Sequence, residues 1–104
     1  MPLTGKQQKK AFAALKKLVD CKERKDMVEE IRLADCGWMD PVLYLTKKGL
    51  QRGDYSYQSS GDASGLTSGS YGEDRTNVRP SLALVKEFDL DEYSLKEYLR
   101  DLKA

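Results

Sequence analysis

Nine of the seventeen residues from Gln58 to Asp74, QSSGDASGLTSGSYGED, are Ser or Gly, and the stretch lies in the middle of a chain of 104 residues. Its only large apolar side chains are Leu66 and Tyr71. This segment constrains the fold more than any other. Ordering a residue costs about 1–2 kcal/mol of backbone entropy, and Ser and Gly have little apolar surface to bury in return. The core must therefore come from the flanks, which must meet across the gap. A chain this long forms one domain, 1–104. Its expected excursion is a mobile arm at about 50–79, ordered at the base and loose at the tip, 59–74.

The flanks have modest means. Hydrophobic residues make up 39% of the chain and charged residues 34%, so the core is expected to be small. No apolar run approaches the roughly 20 residues that span a bilayer. The N-terminal MPLTGKQQKKAF has charges but no apolar h-region of a signal peptide. A cytoplasmic or nuclear protein, not secreted and without a membrane partner, is expected. Cys21 and Cys36 stand without any histidine, so no structural zinc set can be assembled and no metal or cofactor is expected. In a reducing compartment both thiols behave as small apolar groups.

Local patterns predict the order helix, helix, strand, strand, loop, strand, helix. Thr4 with Gln7 makes a capping box, and Ala11, Phe12, Leu15, Leu18 and Val19 follow at helical spacing, giving a helix over 5–19. Asp20 with Glu23 repeats the pattern before Met27, Val28, Ile31 and Ala34, which predicts a second helix ending before Gly37. VLYLT, 42–46, reads as a strand, YSYQS as a second, and SLALVKEF, 81–88, as a third. Ser94 and Glu97 cap a C-terminal helix over about 90–103. The expected fold is α+β: two N-terminal helices, a small antiparallel β-sheet with a long Ser/Gly-rich arm, and a C-terminal helix. Phe12, Leu15, Ile31, Leu84, Leu99 and Leu102 are the candidate core.

YLTKKG, 44–49, resembles the L-T-x-x-G segment at the wing of winged-helix DNA-binding proteins. Leu45, Thr46 and Gly49 carry the likeness, which covers about six residues. It implies a strand ending in a turn, with Lys47 and Lys48 presented there.

Catalysis is not expected. Without histidine neither a Ser-His-Asp nor a Cys-His arrangement can form. The glycines of GDASGLTSG lack the phosphate-binding pattern G-x-x-x-x-G-K-[ST]. Charge is more informative. Residues 1–25 hold eight Lys or Arg against Asp20 and Glu23, although the whole chain is only +1. Such a face attracts a polyanion, or simply keeps a helix solvated.

The leading expectation is a non-enzymatic, regulatory nucleic-acid-binding protein, for DNA or RNA. Its candidate contacts are Lys6, Lys9, Lys10, Lys16, Lys17, Lys47, Lys48, Arg52, Arg75 and Arg79. The alternative is a protein-protein interaction adaptor or inhibitor. It would use Tyr55, Tyr57 and Tyr71 on the flexible arm, with Trp38 as a further anchor.

Overall fold

In a computed structural model, which describes residues 3–35, 37, 40–59 and 69–104, the capping box at Thr4 is closed. The Thr4 hydroxyl accepts from the Gln7 N–H at 3.2 Å, and the Gln7 side chain accepts from the Thr4 N–H at 2.9 Å. Helix α1 (Gly5–Asp20) follows and buries Ala11, Ala14, Leu15 and Leu18, one stripe at helical spacing. It stops where Cys21 turns extended.

The predicted second helix is not there. Lys22–Asp26 form a short 3₁₀ turn, and Ile31–Asp35 form strand β1. The supposed apolar stripe fails at Val28, which is 98% exposed. Ile31 instead pairs opposite Leu45 of β2 (Val42–Thr46). The long-range ladder outweighs a weak helical pattern.

Strands β3 (Gly49–Ser59) and β4 (Gly69–Val78) complete an antiparallel sheet in the order β1-β2-β3-β4. Lys47 and Lys48 form the turn between β2 and β3. Thr46 Oγ1 accepts from the Lys48 N–H at 3.1 Å and donates to the Gly49 carbonyl at 3.0 Å. Gly49 has φ +125°, a conformation that favours glycine.

The predicted strand 81–88 is also corrected: it is helix α2 (Leu82–Glu87). Ser81 caps it, accepting from the Leu84 N–H at 3.1 Å. Alternation would bury Leu82 with Leu84, but Leu82 is 42% exposed while Leu84, Val85 and Phe88 are buried. The i, i+4 pair Leu84–Phe88 is the pattern realised. Asp89, at φ +47°, ends the helix in the left-handed region, and the Leu90 N–H returns to the Val85 carbonyl. Helix α3 (Glu92–Lys103) is capped by Asp91, three residues before the predicted Ser94.

The result is an α+β fold with a four-stranded antiparallel sheet and a C-terminal helix. The core joins Leu15 and Leu18 of α1 to Leu43, Leu45 and Leu50 of the sheet, and to Val85, Phe88, Leu90 and Leu95. The helices thus share the sheet face to which Leu43 and Leu45 point. Of the predicted core, Leu15 and Leu84 are buried, while Phe12, Ile31, Leu99 and Leu102 pack against its rim. The likeness to winged helices is not confirmed, since among the described residues one α-helix precedes a four-strand meander.

The arm expected at about 50–79 is built on a two-stranded ladder. Val42 pairs with Gly53, Pro41 precedes it, and proline has no N–H to carry β2 further. From Asp54 to Ser59, β3 therefore pairs with β4 alone, in unbroken register through Asp54↔Asp74 to Ser59↔Gly69. The expected loose tip thus contains paired strand at 69–74, and 60–68 lie outside the described residues. The ribbon makes the molecule long, 54 × 34 × 18 Å.

Candidate nucleic-acid interface

The arginine and lysine candidates separate into two chemical groups. Arg52 points to the helix side of the sheet. Its Nη1 donates to Glu87 Oε1 at 2.6 Å, its Nε donates to Asp54 at 3.1 Å, and its guanidinium lies 5.7 Å from the Phe88 ring centroid. Arg75 lies on the opposite face. It pairs with Glu30, donates from Nε to Glu73 Oε1 at 2.5 Å, and stacks 3.8 Å from the Tyr44 ring centroid. Both guanidinium groups are paired with carboxylates of the chain itself.

Arg75 belongs to a closed polar cluster. Alternation along β2 sends Leu43 and Leu45 to the helices and Tyr44 to the other face, where it is only 1% exposed. The Tyr44 hydroxyl donates to Glu73 Oε2 at 2.6 Å and lies 3.3 Å from the Tyr55 hydroxyl. Burial and the bond to Glu73 raise the Tyr44 pKa well above its ordinary value. Burial alone would raise Glu73 as well. The hydrogen bonds from Tyr44 and Tyr55 and the pairing with Arg75 outweigh it and hold the carboxylate at about 2. Tyr55 is therefore half-buried and bonded rather than displayed. Tyr57 pairs in register with Tyr71, but both side chains, and the whole of Trp38, lie outside the described residues.

The lysines are different. Lys6, Lys9, Lys10, Lys16 and Lys17 are all exposed on α1, and Lys47 and Lys48 are exposed at the β2–β3 turn. Arg24 joins these two regions. Its Nε donates to the Val19 carbonyl at 2.5 Å, and its Nη1 bonds the carbonyls of Thr46 and Lys47. The turn is thereby fastened beside the C-terminal end of α1. Arg79 is exposed just after β4, apart from this cluster.

Helix α3 lies along α1 and adds two lysines that were not among the predicted contacts, Lys96 and Lys103. Between the helices run two open depressions of about 490 and 400 Å³. They share Ala13, Lys17 and Leu99 and so form one groove. Lys10 and Lys96 rim one end, and Lys16 and Lys103 the other. The floor is made by small or apolar side chains, Ala13, Ala14 and Leu99.

Two acids soften the charge. Glu92 accepts from Lys96 Nζ at 2.6 Å. That bond, with the Lys10 charge across the groove, holds the Glu92 carboxyl below its ordinary range. Asp20 stands at the other end. Five lysines against two carboxylates leave the groove cationic.

Cys21 is a buried free thiol at the groove's lower end, and Cys36 lies outside the described residues. Among the described residues no cluster of His, Cys, Asp or Glu is arranged to hold a metal ion. Nor, among them, is any helix long and apolar enough to cross a membrane. Comparison of the chain with protein-family models, curated proteins and solved structures finds no match.

Proposed function

We propose that the chain binds nucleic acid without catalysing a reaction on it, and that the α1–α3 groove is the contact surface. The observation that carries this reading is the convergence of Lys10, Lys16, Lys17 and Lys103 on one groove from two separate helices, with Lys96 beside them bonded to Glu92. Lysine is a flexible point charge suited to phosphate, and phosphate contacts supply most sequence-independent affinity. The small floor residues leave room for a sugar-phosphate backbone to approach. Lys6 lies one turn before Lys10 on the same stripe of α1 and extends the track. Among the described residues that line the groove there is no Arg, Asn or Gln, whose planar ends pair with base edges, which favours recognition of backbone over sequence.

The test is fluorescence anisotropy with labelled duplex DNA over a salt series, comparing the wild type with Lys10→Glu/Lys17→Glu. The double variant should bind more weakly on every sequence. Its log K against log salt slope should be shallower by about 2, that is, about 0.9 for each duplex phosphate no longer neutralised. Stability should move by under about 0.5 kcal/mol, because both lysines are exposed. Binding of the double variant equal to wild type rejects the groove as the site. No wild-type affinity even at low salt rejects the function.

A further inference from the structure

We infer that the free edge of β4 is a second interaction site, which takes an extended, lysine- or arginine-bearing segment of another protein as a fifth strand. The sheet has two edges, β1 and β4. Native sheets blunt their edges by shortness, bulges, proline or charged side chains. β1 has five residues, with an irregularity in register between Arg32 and Ala34. β4 has ten residues, contains no proline, and pairs with β3 without a break from Val78 to Gly69. Among the described residues β4 therefore keeps charged side chains, Glu73, Asp74 and Arg75, as its edge device but is neither short nor irregular.

The residues along this edge, Gly72, Asp74, Arg75, Thr76 and Asn77, are exposed. Among the described residues nothing pairs with the outer backbone N–H and C=O groups of β4, and such a row is a ready template for strand addition. On one face the polar groups already have partners, Glu73 with Arg75 and Asn77 with Gln51 at 3.1 Å. On the other face, Asp74 stands directly opposite Asp54. Like charges directly opposed destabilise a ladder. Arg52 neutralises Asp54 at 3.1 Å, whereas Asp74 makes no ion pair among the described residues. From Gly53 to Asp74 the sequence holds four Asp or Glu and no Lys or Arg. A cation on an added strand, opposite Asp74, supplies the missing partner.

The same geometry argues against a second copy of this chain. In a two-fold antiparallel pairing of β4 with itself, directly opposed residues have numbers of the same parity. Asp74 would then face Ser70, Gly72, Asp74, Thr76 or Val78, and none of these is a cation. Charge complementarity selects a basic segment of a different protein. This site lies on the sheet edge, away from the helical groove, and stands or falls independently of it.

The experiment uses two acetylated, amidated decapeptides, one alternating Lys with Val and the other Glu with Val. Amide hydrogen exchange of the full chain is followed by NMR. The Lys/Val peptide should slow exchange of β4 amides between Gly72 and Val78, and the Glu/Val peptide should not. Asp74→Lys should lower affinity for the Lys/Val peptide at least tenfold and transfer binding to the Glu/Val peptide. DNA binding should survive that substitution. Absence of β4 protection with either peptide overturns the inference, as does equal binding of the Lys/Val peptide to Asp74→Lys. Concentration-dependent β4 protection without peptide assigns the edge to a second copy and overturns it as well.

Discussion

Gly53→Ala is the substitution whose sign the structure decides most sharply. Gly53 pairs with Val42 on one side and Arg75 on the other, and its φ is not positive. In an ordinary strand, replacing such a glycine by alanine gains about 0.5–1 kcal/mol. Here a Cβ would stand 2.9 Å from Cε2 of Tyr44 and 3.0 Å from Cδ and Oε2 of Glu73. The Tyr44 ring lies across the glycine because nothing projects there. Tyr44 is 1% exposed and cannot swing into solvent without leaving its bond to Glu73. Overpacking typically costs about 1–3 kcal/mol, and a hydrogen bond to a charged group contributes about 1.5–3 kcal/mol. The net expectation is a loss of about 1–3 kcal/mol after the backbone gain. In a domain of this size each kcal/mol lowers Tm by about 4–8 °C. Circular-dichroism melts with urea unfolding measure it. The same substitution in a Tyr44→Leu background, where the ring is gone, should be close to neutral, giving a clear coupling in the double-mutant cycle. A Gly53→Ala protein that melts at or above wild type refutes the reasoning. So does an equal loss in both backgrounds.

Three substitutions probe the packing and the polar cluster. Leu95→Ala should cost about 2–5 kcal/mol in urea unfolding, because Leu95 is 1% exposed. Leu99→Ala should cost less, since that side chain is half-buried and lines the groove. Glu73→Gln should destabilise by about 1–3 kcal/mol near neutral pH, because Tyr44 and Arg75 lose a charged acceptor. The carboxylate is held at about 2 against an ordinary 4.5, so its contribution is fully present above about 4.5 and is lost as pH falls toward 2. The stability gap between wild type and Glu73→Gln should therefore narrow across that window. A gap that widens on acidification contradicts the assignment.

What the sequence made legible was local. The capping box at Thr4 is chemistry between residues three apart, and α1 ends within one residue of its predicted bound. VLYLT at 42–46 and the C-terminal helix are likewise found near their expected limits. The failures share a cause, a choice between helix and strand that tertiary contacts make. Residues 31–35 are strand because Leu45 and Leu43 of β2 wait opposite Ile31 and Ala34. Residues 82–87 are helix because Val85 and Phe88 reach the core together only when wound. The site divides in the same way. Exposed lysines on α1 could be read from spacing. The ion pairs of Arg52 with Glu87 and of Arg75 with Glu30 join residues distant in sequence, and Lys103 lines the proposed groove only because α3 docks beside α1.

The central claim, that the α1–α3 groove is the nucleic-acid face, is tested most directly by titrating duplex DNA into the isotope-labelled chain at low salt. Amide chemical shifts should move along α1 and α3, centred on Lys10, Lys17, Lys96 and Lys103, while those of β4 from Gly72 to Val78 stay in place. The same shifts should collapse when salt is raised to several hundred millimolar, as phosphate contacts do. Perturbations confined to the sheet or its arm, or none in α1 and α3, contradict the account.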